Sequence, residues 1–138
     1  MDGKRILHIK EQFDGVIQIH EETKIEFWYA RDLMKLLGYK RWENFEKAIM
    51  RAIESCETTE TEALDHFREV TKMVALGSGS KRSIKDYMLT RYACYLIAMN
   101  GDTAKEEIAF AQSYFAIQTR KQELLEERIA NIERTQAR

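Results

Sequence analysis

The chain has 138 residues, of which 44% are hydrophobic and 33% charged, with a formal net charge of −1 at pH 7. A single domain of this length buries about 68% of its unfolded surface, enough for a core without disulfides or metal. Near-neutral charge and 10% aromatic residues exclude a disordered chain, and the longest apolar run, Tyr92–Met99, is less than half a membrane span. The start, Met1-Asp2-Gly3-Lys4-Arg5, leads into a mixed polar segment rather than the apolar stretch of a signal peptide. A cytoplasmic protein with no membrane contact is expected. Proline is absent and there are six glycines, which favours long uninterrupted helices over a many-turned β sandwich.

Residues 4–25 read two ways. Ile6, Ile9, Phe13 and Ile17 fit a helical stripe, whereas Val16-Ile17-Gln18-Ile19 after Asp14-Gly15 fits a strand. Ile25-Glu26-Phe27-Trp28 predicts a short strand. Residues 30–37 predict a short helix with Leu33, Leu36 and Leu37 on one side and Gly38 as its left-handed C′ residue. A second helix is predicted over Trp42–Cys56, from apolar positions 42, 45, 49, 52, 53 and 56. Residues 57–62 are a polar connector. Thr71–Leu76 and Arg82–Met88 predict the arms of a hairpin with Gly77-Ser78-Gly79-Ser80 at its tip.

Thr90 predicts the N-cap of a helix over 91–100, with Leu89 and Cys94 placed as its hydrophobic staple. Asn100-Gly101 ends that helix, and Thr103-x-x-Glu106 predicts a capping box for the last one. Nothing breaks that last helix before about residue 135. Its positions 108, 111, 115, 118, 122, 125, 129 and 132 keep alternating three- and four-residue steps, with Gln118 and Gln122 polar in the middle. The first half should pack on the domain. The second half offers Leu125, Ile129 and Ile132 to another helix, so a homodimer is one expectation.

Signatures of catalysis are missing from the pattern. Gly77-Ser-Gly-Ser-Lys-Arg-Ser83 lacks the four-residue gap and the Lys-Ser/Thr pair of a phosphate loop. Cys56 and Cys94 stand 38 residues apart, outside any C-x-x-C pattern, and read as reduced, partly buried thiols. His8, His20 and His66 form no H-x-x-x-H pair. No catalytic residue, metal site or cofactor is expected.

The net charge hides segregation. Residues 31–51 hold six basic side chains against three acidic, and residues 72–92 hold five against Asp86 alone. Between them residues 54–69 carry six acids and only Arg68. Such a pattern describes partners rather than fold. The basic segments are either solvated faces or a polyanion-binding surface. A glycine-rich tip flanked by Lys81 and Arg82 can follow a phosphate backbone closely, because glycine has no Cβ and exposed N–H groups meet anionic oxygens. The alternative is an ordinary turn whose cations keep an edge strand soluble. Trp42, beside Lys40 and Arg41, either stacks on a base or joins Phe45 and Ile49 in the core. Arg91 falls in the first turn of a helix, where the dipole disfavours a cation, and this points to a functional reason for it.

In order, these segments resemble the DNA-damage-inducible protein D family, whose N-terminal half is similar to the BRO-N domain of viral and phage proteins. The resemblance is carried by Phe27-Trp28-Tyr29-Ala30-Arg31-Asp32-Leu33 with Leu37-Gly38-Tyr39, by Trp42-Glu43-Asn44-Phe45 and by Asp65-His66-Phe67. Its densest part is Ile84-Lys85-Asp86-Tyr87-x-Leu89-Thr90-Arg91-Tyr92-Ala93-Cys94-Tyr95-Leu96-Ile97. Asn100-Gly101-Asp102 and Ala111-Gln112-x-Tyr114-Phe115-Ala116-Ile117-Gln118-Thr119-Arg120 follow, so it spans roughly 13–125. The chain departs from the family at Thr103, where a proline is common, and family members usually continue well beyond this end. The resemblance implies an α+β, mainly helical fold: a BRO-N-like domain over 1–120 with a small antiparallel sheet or hairpin, and a C-terminal helical extension over 121–138. It also implies a bacterial cytosolic setting, a role in the DNA-damage (SOS) response, and association with DNA. It supplies no catalytic residues.

Two functional readings remain. In the first, a non-enzymatic domain binds DNA of unspecified strandedness with weak sequence preference, using Lys72, Lys81, Arg82 and Lys85 of the hairpin, Arg91, and the Lys40-Arg41 corner. About five phosphate contacts predict a slope of log K against log salt near −4 to −5. In the second, the domain is a protein-interaction module for recombination or repair proteins, dimerising through the C-terminal helix. A nuclease would require a metal-dependent carboxylate cluster that the sequence does not reveal.

Overall fold

The computed structural model describes residues 3–58 and 63–136. The N-terminal segment contains a helix and then a strand, with Val16 and Ile17 in neither. Helix α1 covers Gly3–Gly15, with Ile9 and Phe13 buried, and strand β1 (Gln18–Ile19) follows. Strand β2 (Glu26–Tyr29) runs directly into α2 (Ala30–Leu36), and α3 covers Trp42–Thr58. Gly38 takes φ +77°, as the end of α2 requires. Helix α3 is two residues longer than its apolar pattern suggested. The rest of the polar connector, 59–62, lies outside the described residues.

A short α4 (Ala63–His66) leads into β3 (Phe67–Ala75), which pairs antiparallel with β4 (Lys81–Leu89) along its whole length, from Phe67 opposite Leu89 to Ala75 opposite Lys81. The sheet order is β1-β2-β4-β3, antiparallel throughout. The hairpin arms therefore begin four residues earlier than Thr71. Phe67 and Leu89 are buried, so the first pairs of the ladder belong to the core rather than to the exposed hairpin.

Helix α5 (Arg91–Met99) is capped as the sequence predicts: the Thr90 hydroxyl accepts from Ala93 N–H at 3.1 Å. Leu89 and Cys94 are both fully buried beside that cap. The predicted capping box is not the start of α6 (Glu106–Gln136). Instead Asp102 organises a separate turn, its carboxylate accepting from Ala104 N–H at 2.9 Å and its carbonyl from Lys105 N–H at 3.0 Å. The Lys105 carbonyl then accepts from Ala109 N–H and starts the helix. An aspartate two residues before Ala104 forms its local bond more readily than Thr103 reaches across a turn.

The core joins α1, α5 and the first half of α6 to the α3 face and the inner end of the sheet. Trp28 lies at its centre, stacked on Phe13 with ring centroids 4.3 Å apart, and its indole N–H donates to the Phe13 carbonyl at 2.8 Å. From α6 the core takes Ile108, Ala111, Tyr114 and Phe115. Beyond Thr119 the same helix continues unbroken with every side chain exposed through Gln136, including Leu125, Ile129 and Ile132.

Candidate nucleic-acid interface

The β3–β4 hairpin projects as an arm. Its inner end packs on β2, α2, α4 and α5, whereas residues 75–83 are all exposed. The loop is tight. Leu76 N–H donates to the Ser80 carbonyl at 2.8 Å and Gly79 N–H to the Leu76 carbonyl at 3.1 Å, with Gly79 at φ +87°. This is the three-residue hairpin geometry in which a glycine takes the left-handed position. Residues 70–84 contain Lys72, Lys81 and Arg82 and no acid.

The seven cations singled out from the sequence have different environments. Lys81 and Arg82 at the tip, and Lys40 and Arg41 in the corner between α2 and α3, are exposed, and none of these four side chains has an ion-pair or hydrogen-bond partner among the described residues. The other three are engaged. Lys72 Nζ lies 2.9 Å from the Asp86 carboxylate and 3.3 Å from the centre of the Tyr29 ring. Lys85 bridges Glu46 at 2.8 Å and Glu69 at 3.0 Å. Those two carboxylates, then the Tyr87 phenol, hold its pKa above the ordinary lysine value. Arg91 pairs with Glu26 at 3.2 Å and lies over the Trp28 and Phe13 rings. Burial works against its charge, and the bonds to Glu26 and the Tyr114 phenol outweigh that and raise its pKa. The reason for a cation at the start of α5 is thus visible in its packing against β2, α1 and α6.

The strand register separates the arm's cations. Side chains of directly paired residues share a face and alternate along a strand. Lys81 and Lys85 therefore stand on one face with Tyr87, and Arg82 stands on the other with Lys72 and Asp86. The corner adjoins the base of the arm. The Trp42 and Tyr87 rings are 6.2 Å apart, and Arg31 ties the two together, its guanidinium 3.9 Å over the Trp42 ring and donating to the Lys85 carbonyl at 3.0 and 2.8 Å. Trp42 is half-buried between Phe45, Tyr87 and Arg31, so its ring serves packing. From Lys85 to Arg82 is about 10 Å along the strand.

Sequence reasoning passed over Asp86, which is fully buried. Its Oδ1 accepts from Arg31 N–H at 3.0 Å and from Tyr87 N–H at 2.8 Å. Arg31 is the second residue of α2, whose N-cap residue, Tyr29, has no side-chain capping bond. Asp86 thus caps α2 from a neighbouring strand, and its charge suits the positive end of the helix. A lone acid in the basic 72–92 segment was the available signal. Among the described residues no group of three or more His, Cys, Asp or Glu side chains could hold a metal ion, and no helix is long and apolar enough to cross a membrane.

Residues 16–116, which include the sheet, α5 and the projecting hairpin, match the BRO family N-terminal domain, and the chain belongs to that family. It is also 52% identical over 116 residues to DNA damage-inducible protein D of Escherichia coli (strain K12), a match that covers 80% of this chain and 42% of that protein. The chain therefore spans less than half the length of this relative. No solved structure matches it.

Proposed function

We propose that this domain binds DNA without catalysing a reaction on it, as part of a bacterial cytoplasmic response to DNA damage. The observation that carries this reading is the β3–β4 arm. Its outer part, residues 70–84, carries no acid, residues 75–83 are exposed, and it ends in two cations that no carboxylate neutralises among the described residues. Membership of the BRO family and the name of the E. coli relative support the same reading. Lys81 and Arg82 contact phosphates directly, and Lys40 and Arg41 extend the positive surface past the base of the arm. Lys72, Lys85 and Arg91 act mainly as structural cations. Contacts to phosphate position a protein without reading bases, so sequence preference is weak.

Four available cations give a slope of log K against log salt of about −3.6 on duplex DNA, shallower than five or more contacts would give. Fluorescence anisotropy with labelled DNA over a salt series measures it. A slope near zero, or no binding at low salt, refutes the reading.

The free half of α6 favours a second role. Leu125, Ile129 and Ile132 are about half exposed on one seam of a helix that nothing covers among the described residues. That seam suits self-association or the docking of a recombination or repair protein. Light scattering across a concentration range tests the self-association: the mass rises with concentration in the native chain and stays monomeric in Leu125→Asp/Ile129→Asp. A monomer mass throughout removes pairing of two copies.

A further inference from the structure

The arm's shape narrows the class of nucleic acid. Lys81 and Arg82 are adjacent in sequence and so point to opposite faces of the ribbon. A ribbon lying flat on a phosphate backbone would use one of them and turn the other away. A ribbon entering a groove end-on would use both, one toward each wall. The dimensions agree with entry. From Lys85 to the turn at Gly79 is about 20 Å of strand and loop, longer than the depth of the B-form major groove, about 8.5 Å. That groove is about 12 Å wide and admits a two-stranded ribbon.

The tip also carries chemistry that a phosphate-only contact does not need. Leu76, the first residue past β3, is 42% exposed, and Ser78 and Ser80 stand beside it with their hydroxyls 2.8 Å apart. On a groove floor, hydroxyls can donate to or accept from base edges, and an apolar side chain meets the thymine C5-methyl group.

We infer that the β3–β4 arm enters the major groove of double-stranded DNA tip first, with Lys81 and Arg82 on the phosphates of opposite walls and Leu76 against base edges. This inference rests on the DNA-binding reading above. It adds the strandedness, the helical form and the element that touches bases.

The test compares labelled probes of one A·T-rich sequence at a single salt concentration: a DNA duplex, the RNA duplex, the DNA single strand, and a DNA duplex with thymine replaced by uracil. A-form RNA carries similar phosphate charge, but its major groove is too deep and narrow for side chains to read. Groove entry predicts at least about tenfold tighter binding to the DNA duplex than to the RNA duplex. It predicts a loss of about fourfold for each contacted methyl that uracil removes. Leu76→Ala should abolish that thymine preference while leaving the salt slope unchanged. Lys81→Ala and Arg82→Ala singly should each lower the slope by about 0.9. Equal binding to DNA and RNA duplexes, tighter binding to the single strand, or a uracil duplex bound as well as its thymine counterpart overturns the inference while leaving nucleic-acid binding standing. Binding to none of the probes overturns both.

Discussion

Replacing Asp86 tests how the base of the arm is held. Asp86→Ala leaves two N–H groups, of Arg31 and Tyr87, without the acceptor that now sits 3.0 and 2.8 Å away. It also leaves the Lys72 ammonium, whose side chain is 33% exposed, without its carboxylate. A lost helix cap costs about 1–2 kcal/mol. An N–H left buried without a partner costs about 1–3 kcal/mol. Screening at the partly exposed lysine keeps the ion-pair contribution small, so the loss should total about 3–5 kcal/mol, a large share of the about 5–15 kcal/mol by which a domain is stable. Asp86→Asn keeps an oxygen for both N–H groups but faces Lys72 with an amide, and should lose about 1–2 kcal/mol. Urea unfolding of the three proteins gives the ordering directly: native most stable, then Asn, then Ala, with parallel slopes. An Ala variant within about 1 kcal/mol of the native protein would show that Asp86 is not the cap of α2 that its geometry describes.

Burial raises the Cys94 pKa well above the ordinary thiol value, so the folded protein keeps the proton while the unfolded chain loses it above about pH 8.5. Stability linked to this group is present below that pH and falls as pH rises, by up to about 1.4 kcal/mol per unit; urea midpoints at pH 8, 9 and 10 should decline, and Cys94→Ala should flatten the decline. Unchanged alkaline dependence in that variant would reject the assignment. Gly38→Ala places a side chain at φ +77°, and its Cβ would come 2.7 Å from the flexible Glu107 carboxylate; the backbone cost of about 1–2 kcal/mol should appear as a lower urea midpoint with DNA binding unaltered. Lys72→Met removes a cation already committed to Asp86, so the salt slope should stay within about 0.3 of the native value, whereas a drop near 0.9 would place Lys72 on a phosphate.

Much of the architecture was legible because it is local. The Thr90 cap, the Gly38 stop, the apolar rhythm of α3 and the glycine-marked hairpin each follow from neighbours within a few residues. The short β1 after α1 was legible only as an ambiguity, since Ile17 serves both patterns. The predicted capping box gave way to a turn closed by Asp102, whose carboxylate reaches Ala104 N–H only two residues on. Charge counting found the cations but not their partners. Glu46 is 39 residues from Lys85 and Glu26 is 65 from Arg91, and such pairings depend on the tertiary fold. For the same reason Asp86 looked like a stray acid in a basic stretch until the start of α2 was placed against β4.

If the cations at the arm's tip, and not the ion-paired ones at its base, bind DNA, removing the tip cations alone flattens the salt dependence. Salt-dependent anisotropy on one DNA duplex, comparing the native chain with Lys81→Ala/Arg82→Ala and with Lys85→Ala, tests it most directly. The tip double variant should lose about 1.8 from the slope of log K against log salt, and Lys85→Ala should keep nearly the native slope. An unchanged slope in the double variant, or a larger loss in Lys85→Ala, would contradict it.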